Sequence, residues 1–170
     1  SFGMGLAYWV LYLILFGTAP LVFCVSELSW TASYIFLALR LYADIPKEKQ
    51  KEKAVFWILP AFSLAMCIFF YTRGSYFENI LMGMAMGVLG YYAVKGICLA
   101  KTRNRSGKPL IFYAALFFYA AEYLLWISSY FITENIFVNP YYFVDILILN
   151  PALVMIAVAQ SREEKPCHTI

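Results

Sequence analysis

The stretch LIFYAALFFYAAEYLLWISSYF, Leu110 to Phe131, decides the fold. A helix of about 20 residues matches the roughly 30 Å hydrocarbon core of a bilayer, and this run is long enough and apolar enough to cross one. Its exception is Glu122, close to the middle. A carboxylate at bilayer depth costs roughly 3 kcal/mol on insertion scales, so such residues face a bundle interior, a water-filled cavity or a partner. The segment therefore announces both a membrane span and a buried polar position.

Working outward, similar runs recur along the chain. Of its 170 residues 63% are hydrophobic, 19% aromatic and 14% charged, whereas a soluble domain is about a quarter charged. Six spans are expected: Leu6 to Val25, Leu28 to Ala43, Ala54 to Tyr71, Asn79 to Ala100, Leu110 to Phe131 and Tyr141 to Gln160. Only Ser26 and Glu27 separate the first two, and Pro20 offers the first an earlier end or a re-entrant form. The expected fold is all-α, a polytopic membrane helix bundle filling residues 1–170 as a single domain. The expected location is an integral, multi-pass position in a cell or inner membrane. The N-terminus shows no charged region followed by a small-residue cleavage site, so no signal peptide is expected.

Basic residues set the orientation, because Lys and Arg near span ends are retained on the cytoplasmic side. Lys47, Lys49, Lys51 and Lys53 follow span two; Lys101, Arg103, Arg105 and Lys108 follow span four; Arg162 and Lys165 follow span six. All three clusters fall on one side. The opposite connections carry Glu27, then Arg73 with Glu78, then Glu134, which places both termini in the cytoplasm. The net charge of +3 is explained by this asymmetry, so no nucleic-acid partner is expected; the bilayer itself is the expected surrounding.

Cys24, Cys67, Cys98 and Cys167 lack metal-site spacing, and the single histidine, His168, sits in the tail. That set argues against bis-histidine haem, zinc hydrolases and His-dependent proteases. No metal and no cofactor are expected.

Span four places Gly83, Gly87 and Gly90 along one stripe, the small-residue pattern that lets helices approach closely in lipid. The expected use is packing within the bundle, with a homodimer or partner-subunit contact as the alternative. Leu59-Pro60-Ala61 and Asn150-Pro151-Ala152 put a proline in spans three and six, where each removes a backbone donor and permits a kink. An inverted three-plus-three repeat would make these equivalent broken helices.

The candidate site begins with residues three, four and seven apart on span five: Ala115, Tyr119, Glu122, Trp126 and Ser129 share a face. An aromatic, acidic and hydroxylated stripe suits a cation, an amine or a polar headgroup through cation–π attraction beside a carboxylate. The competing role for Glu122 is structural, as a protonated carboxyl bonded to a neighbouring helix. Span six adds Asp145 and Asn150, which lie too far apart around the helix to address one partner together. Span two adds Arg40; its economical partner is Asp44 one turn on, and the sharper alternative is a carboxylate on another helix or an anionic ligand.

These features point to a ligand-binding or sensing module, because the last span continues into the polar sequence Gln160-Ser161-Arg162-Glu163-Glu164, suited to passing a helix movement to the cytoplasm. A small transporter or a transporter's substrate-binding subunit, for a small and cationic solute, is the alternative. A lipid-modifying enzyme ranks third, having two carboxylates and no evident nucleophile, so a non-enzymatic role is favoured.

Overall fold

The computed structural model describes residues 2–18, 25–46, 51–72, 76–103, 109–131, 147–148 and 150–163. Among them there are six α-helices and no strand. In chain order they are α1 (Phe2–Phe16), α2 (Val25–Asp44), α3 (Ile58–Phe69, preceded by a 3-10 turn over Ala54–Trp57), α4 (Tyr76–Arg103), α5 (Pro109–Phe131) and α6 (Asn150–Glu163). Two compact units divide the chain, Ser1–Tyr91 and Tyr92–Ile170.

Among the described residues two stretches are long and apolar enough to cross a bilayer, Tyr76–Ala100 within α4 and Leu110–Ser128 within α5. Shorter apolar helices cover Gly3–Phe16, Ala54–Phe69 and Asn150–Ser161. The expected first span is cut short: α1 stops at Phe16, and Gly17 adopts φ 68°, a left-handed conformation that glycine tolerates without a β-carbon penalty. The Gly17 amide donates to the Leu13 carbonyl at 2.9 Å, closing the last turn. Fifteen helical residues extend only about 22 Å. Pro20 and the start of the expected sixth span lie outside the described residues.

Both prolines turn out to occupy first turns instead of helix interiors. Pro60 is the third residue of α3 and Pro151 the second of α6, positions where an amide has no intrahelical acceptor and its absence costs nothing. Upstream of Pro60 the backbone is 3-10, and the Ile58 amide bonds to Val55 O. The apolar run from Ala54 is thus a broken element with the break just before Pro60.

In the first unit α1 packs on α2. A β-carbon on Gly5 would lie 2.8 Å from Trp30 Nε1 and 3.0 Å from the Ser26 carbonyl, so the glycine is what admits the indole. The buried side of α2 carries Thr31, Tyr34, Ala38 and Leu41, the three-and-four spacing of one helical face. Facing α3, Gly83 meets Cys67, and Gly87 meets Ser63 and Pro60, whose spacing on α3 again defines one face. A β-carbon on Gly83 would overlap the Cys67 thiol, whereas one on Gly87 would sit 3.6 Å from Ser63 Cβ, an ordinary contact. The glycine stripe is therefore occupied by α3 of the same chain.

A polar clasp closes this α3–α4 hairpin. Asn79 is 2% exposed, and its Nδ2 donates to the Phe70 carbonyl at 2.8 Å. Cys67 Sγ donates to the Asn79 carbonyl at 3.2 Å. Phe70 sits just past α3, where a helix leaves its last carbonyls without intrahelical partners. Asn79 supplies the missing donor.

In the second unit α6 packs on α5, and α6 buries Ala152 and Ala159 completely. Alanines seven residues apart fall on one stripe and permit close approach. Phe112 of α5 presses on Gly96 of α4 so closely that any β-carbon there would enter the ring.

Candidate functional site

The helix that carries Glu122 has an outer and an inner side that the structure separates sharply. Tyr113, Phe117, Ala120 and Leu124 are exposed, and their spacing of four, three and four makes one stripe. Residue 122 lies two positions, about 200° of helical rotation, from Ala120 and therefore on the opposite side. Glu122 is 7% exposed there.

Around it, Tyr119 (3% exposed), Tyr123 (3%) and Trp126 (8%) are all buried. The Tyr119 and Tyr123 ring centroids lie 4.8 Å apart at 56°, and those of Tyr123 and Trp126 lie 5.6 Å apart at 47°. Inclined rings at these separations fall within the favourable range for aromatic pairs. Tyr123 is thus the centre of an aromatic ladder that the three-four-seven pattern omits, because it stands next to Glu122 in sequence. The signal that could have found it is aromatic spacing alone: Tyr119, Tyr123 and Trp126 are four and three apart.

Ala115 is fully buried on the same side of α5. Ser129 belongs to α5, but its side chain lies outside the described set. Asp145 is likewise outside the described residues. Asn150 is exposed in the first turn of α6, whereas Glu122 is buried. Arg40 spends its charge locally: Nη1 donates to Asp44 Oδ1 at 2.9 Å. With side-chain exposures of 40% and 12%, this pair is the one-turn ion pair that the sequence spacing allows. The structure therefore gathers Tyr119, Glu122 and Trp126 on one buried face, and holds Arg40 with Asp44.

A mid-helix position matters chemically. The backbone around Glu122 is already paired within α5, so the carboxyl has no helix end to cap, unlike Asn79. Its neighbours offer ring faces and hydroxyls, which suit an ammonium or a hydrogen-bonding group. Among the described residues no group of three or more His, Cys, Asp or Glu could hold a metal ion. No family model matches the chain, and no match was found among curated proteins or solved structures.

Proposed function

We propose that this protein is a multi-pass membrane module of about six spans with both termini cytoplasmic, whose polar site centred on Glu122 binds a small ligand and whose last helix relays the bound state. The observation that carries the proposal is the burial of Glu122 among Tyr119, Tyr123 and Trp126, on the side of α5 opposite its exposed apolar stripe.

The distribution of exposed side chains supports the membrane setting. Ile14 (73%), Phe36 (63%), Leu64 (62%), Ile68 (68%), Met84 (65%) and Val154 (61%) face outward, while Ser26, Ser63, Asn79 and Glu122 are buried. A soluble monomer rarely exposes apolar surface on such a scale, and a lipid-facing bundle requires it. The relay draws on α6, which continues through Gln160 and Ser161 to Glu163 without interruption.

A ligand with an amine or quaternary ammonium group fits the site's carboxyl and rings. In the test, purified protein is titrated calorimetrically with a series of alkylamines and tetraalkylammonium ions. Glu122→Gln should leave the melting temperature near that of the parent and abolish binding of the ion that the parent takes, because the amide keeps shape and loses charge. Equal binding by Glu122→Gln would remove the carboxylate from the site, and a parent that binds none of the series would remove the cationic ligand. Topology is tested separately by cysteines at Lys49, Lys101, Arg162 and Glu134: only the last should react with an impermeant thiol reagent on intact cells.

One observation favours the transporter alternative, the break between the 3-10 turn Ala54–Trp57 and α3, since transporters place interrupted helices at their sites. Accumulation of the bound ion in proteoliposomes would establish that reading over sensing.

A further inference from the structure

An aromatic corner stands at the start of α3, independent of the Glu122 face. Trp57 and Tyr91 have ring centroids 5.2 Å apart at 57°, and Phe56 meets Tyr91 edge-on at 6.2 Å and 85°. Phe56 is 1% exposed and Trp57 57% exposed, so the first anchors the corner and the second opens it. The Tyr91 hydroxyl donates to Glu52 Oε2 at 2.8 Å.

Three physical consequences follow from this arrangement. Two rings inclined to each other present converging negative faces, which is how aromatic cages hold ammonium groups. Donation from the Tyr91 hydroxyl to a carboxylate raises electron density in the ring and strengthens its attraction for a cation. That bond also fixes Glu52 at the edge of the corner, and a carboxylate offers about four lone-pair positions, so one tyrosyl donor does not saturate it. Lys51 and Lys53, the nearest cations in sequence, are exposed and are not buried against the rings.

The surface leading away from the corner is apolar. Trp57, Ala61, Leu64 and Ile68 are all exposed, and their spacing of four, three and four forms one track along α3. Ser63 and Cys67 point the other way, toward Gly87 and Gly83. A charged pocket at one end of a hydrocarbon-compatible track matches an amphiphile with a cationic head and an acyl tail.

We propose that Trp57, Tyr91 and Glu52 form a binding site for the ammonium head of a lipid, choline or ethanolamine in type, whose acyl chain lies along Leu64 and Ile68. This site rests on the membrane setting and not on Glu122.

Purified protein in a neutral, nonionic detergent is titrated with lysophosphatidylcholine, lysophosphatidylglycerol and tetramethylammonium, reading Trp fluorescence and thermal stability. Lysophosphatidylcholine should bind about tenfold more tightly than lysophosphatidylglycerol, given the cation–π and carboxylate contributions. It should also bind more tightly than tetramethylammonium, which has the head and lacks the tail. Trp57→Leu, Glu52→Gln and Tyr91→Phe should each reduce that preference, and Glu122→Gln should leave it intact. Tyr91→Phe keeps the ring and loses only the bond to Glu52, so it reports on the site even where Trp57→Leu fails to fold. Equal affinity for the two lysolipids, or a preference unmoved in Glu52→Gln and Tyr91→Phe, would reduce these residues to an interfacial belt. Tetramethylammonium binding as tightly as the lysolipid would assign the corner to a soluble cation and overturn the lipid. Recovery of the chain from the soluble fraction of cells would instead sink the membrane setting itself.

Discussion

The α3–α4 hairpin and helix α5 both bury polar side chains, and they do so for opposite reasons. In the hairpin, Asn79 donates to the Phe70 carbonyl and Cys67 donates to the Asn79 carbonyl. Those bonds complete the backbone of a helix end and a close helix crossing. In α5, Glu122 stands mid-helix among Tyr119, Tyr123 and Trp126, where the helix already satisfies its own backbone. Burial of a polar residue is thus not in itself a functional signal. What separates the two is whether a main-chain vacancy explains the side chain.

The sharpest way to test this contrast is through glycine contacts, which should report packing in either region. Gly96→Ala should have the largest effect, about 2–3 kcal/mol of destabilisation, since the whole Phe112 ring occupies the β-carbon position and the neighbourhood must shift to avoid overpacking. Gly83→Ala should follow, because only the Cys67 thiol stands in the way and a side-chain tip can rotate. Gly87→Ala should be near neutral or slightly stabilising: the β-carbon meets Ser63 at 3.6 Å, and alanine gains about 1 kcal/mol in helix propensity. Gly87→Leu exceeds that space and should destabilise. Melting in detergent ranks all four, and a Gly96→Ala protein as stable as the parent would break the packing account.

Asn79→Ala comes next in expected size. It leaves the Phe70 carbonyl without its donor, which costs about 1–3 kcal/mol when buried. Hydrogen exchange at the α3–α4 turn should rise in this variant while exchange in α5 stays unchanged. Uniform loosening of both regions would mean that Asn79 serves more than the hairpin.

The smallest stability change is expected where the functional claim is greatest. Glu122→Gln should shift the melting temperature by little, because no cap or close crossing depends on its charge. Glu122→Leu should also fold. A collapse of either protein would place Glu122 with Asn79 as structural glue and erase the difference between the regions.

Much of this was legible in residue order. The α5 boundaries, Pro109–Phe131, agree with the run Leu110 to Phe131 because apolar length and the flanking charges fix a helix without tertiary help. The shared face of Tyr119, Glu122 and Trp126 follows from helical geometry alone, and so does the Arg40–Asp44 pair one turn apart. Tyr123 was missed because a face drawn around Glu122 excludes its immediate neighbour, while burial of α5 extends well beyond one narrow stripe.

By itself, then, the sequence determined helical periodicity, apolar length, charge asymmetry and which residues of one helix share a side; these are properties of local geometry and composition. Only the tertiary structure decided that Pro60 and Pro151 open helices instead of kinking them. It alone showed that Gly83 and Gly87 receive α3, that Asn79 closes Phe70, and that Glu52 meets Tyr91 across 39 positions of sequence. Such contacts depend on which helix lies against which, and the physical reason they escape a sequence is that lipid-facing and helix-facing apolar residues are chemically alike, so hydrophobicity cannot name a helix's neighbour.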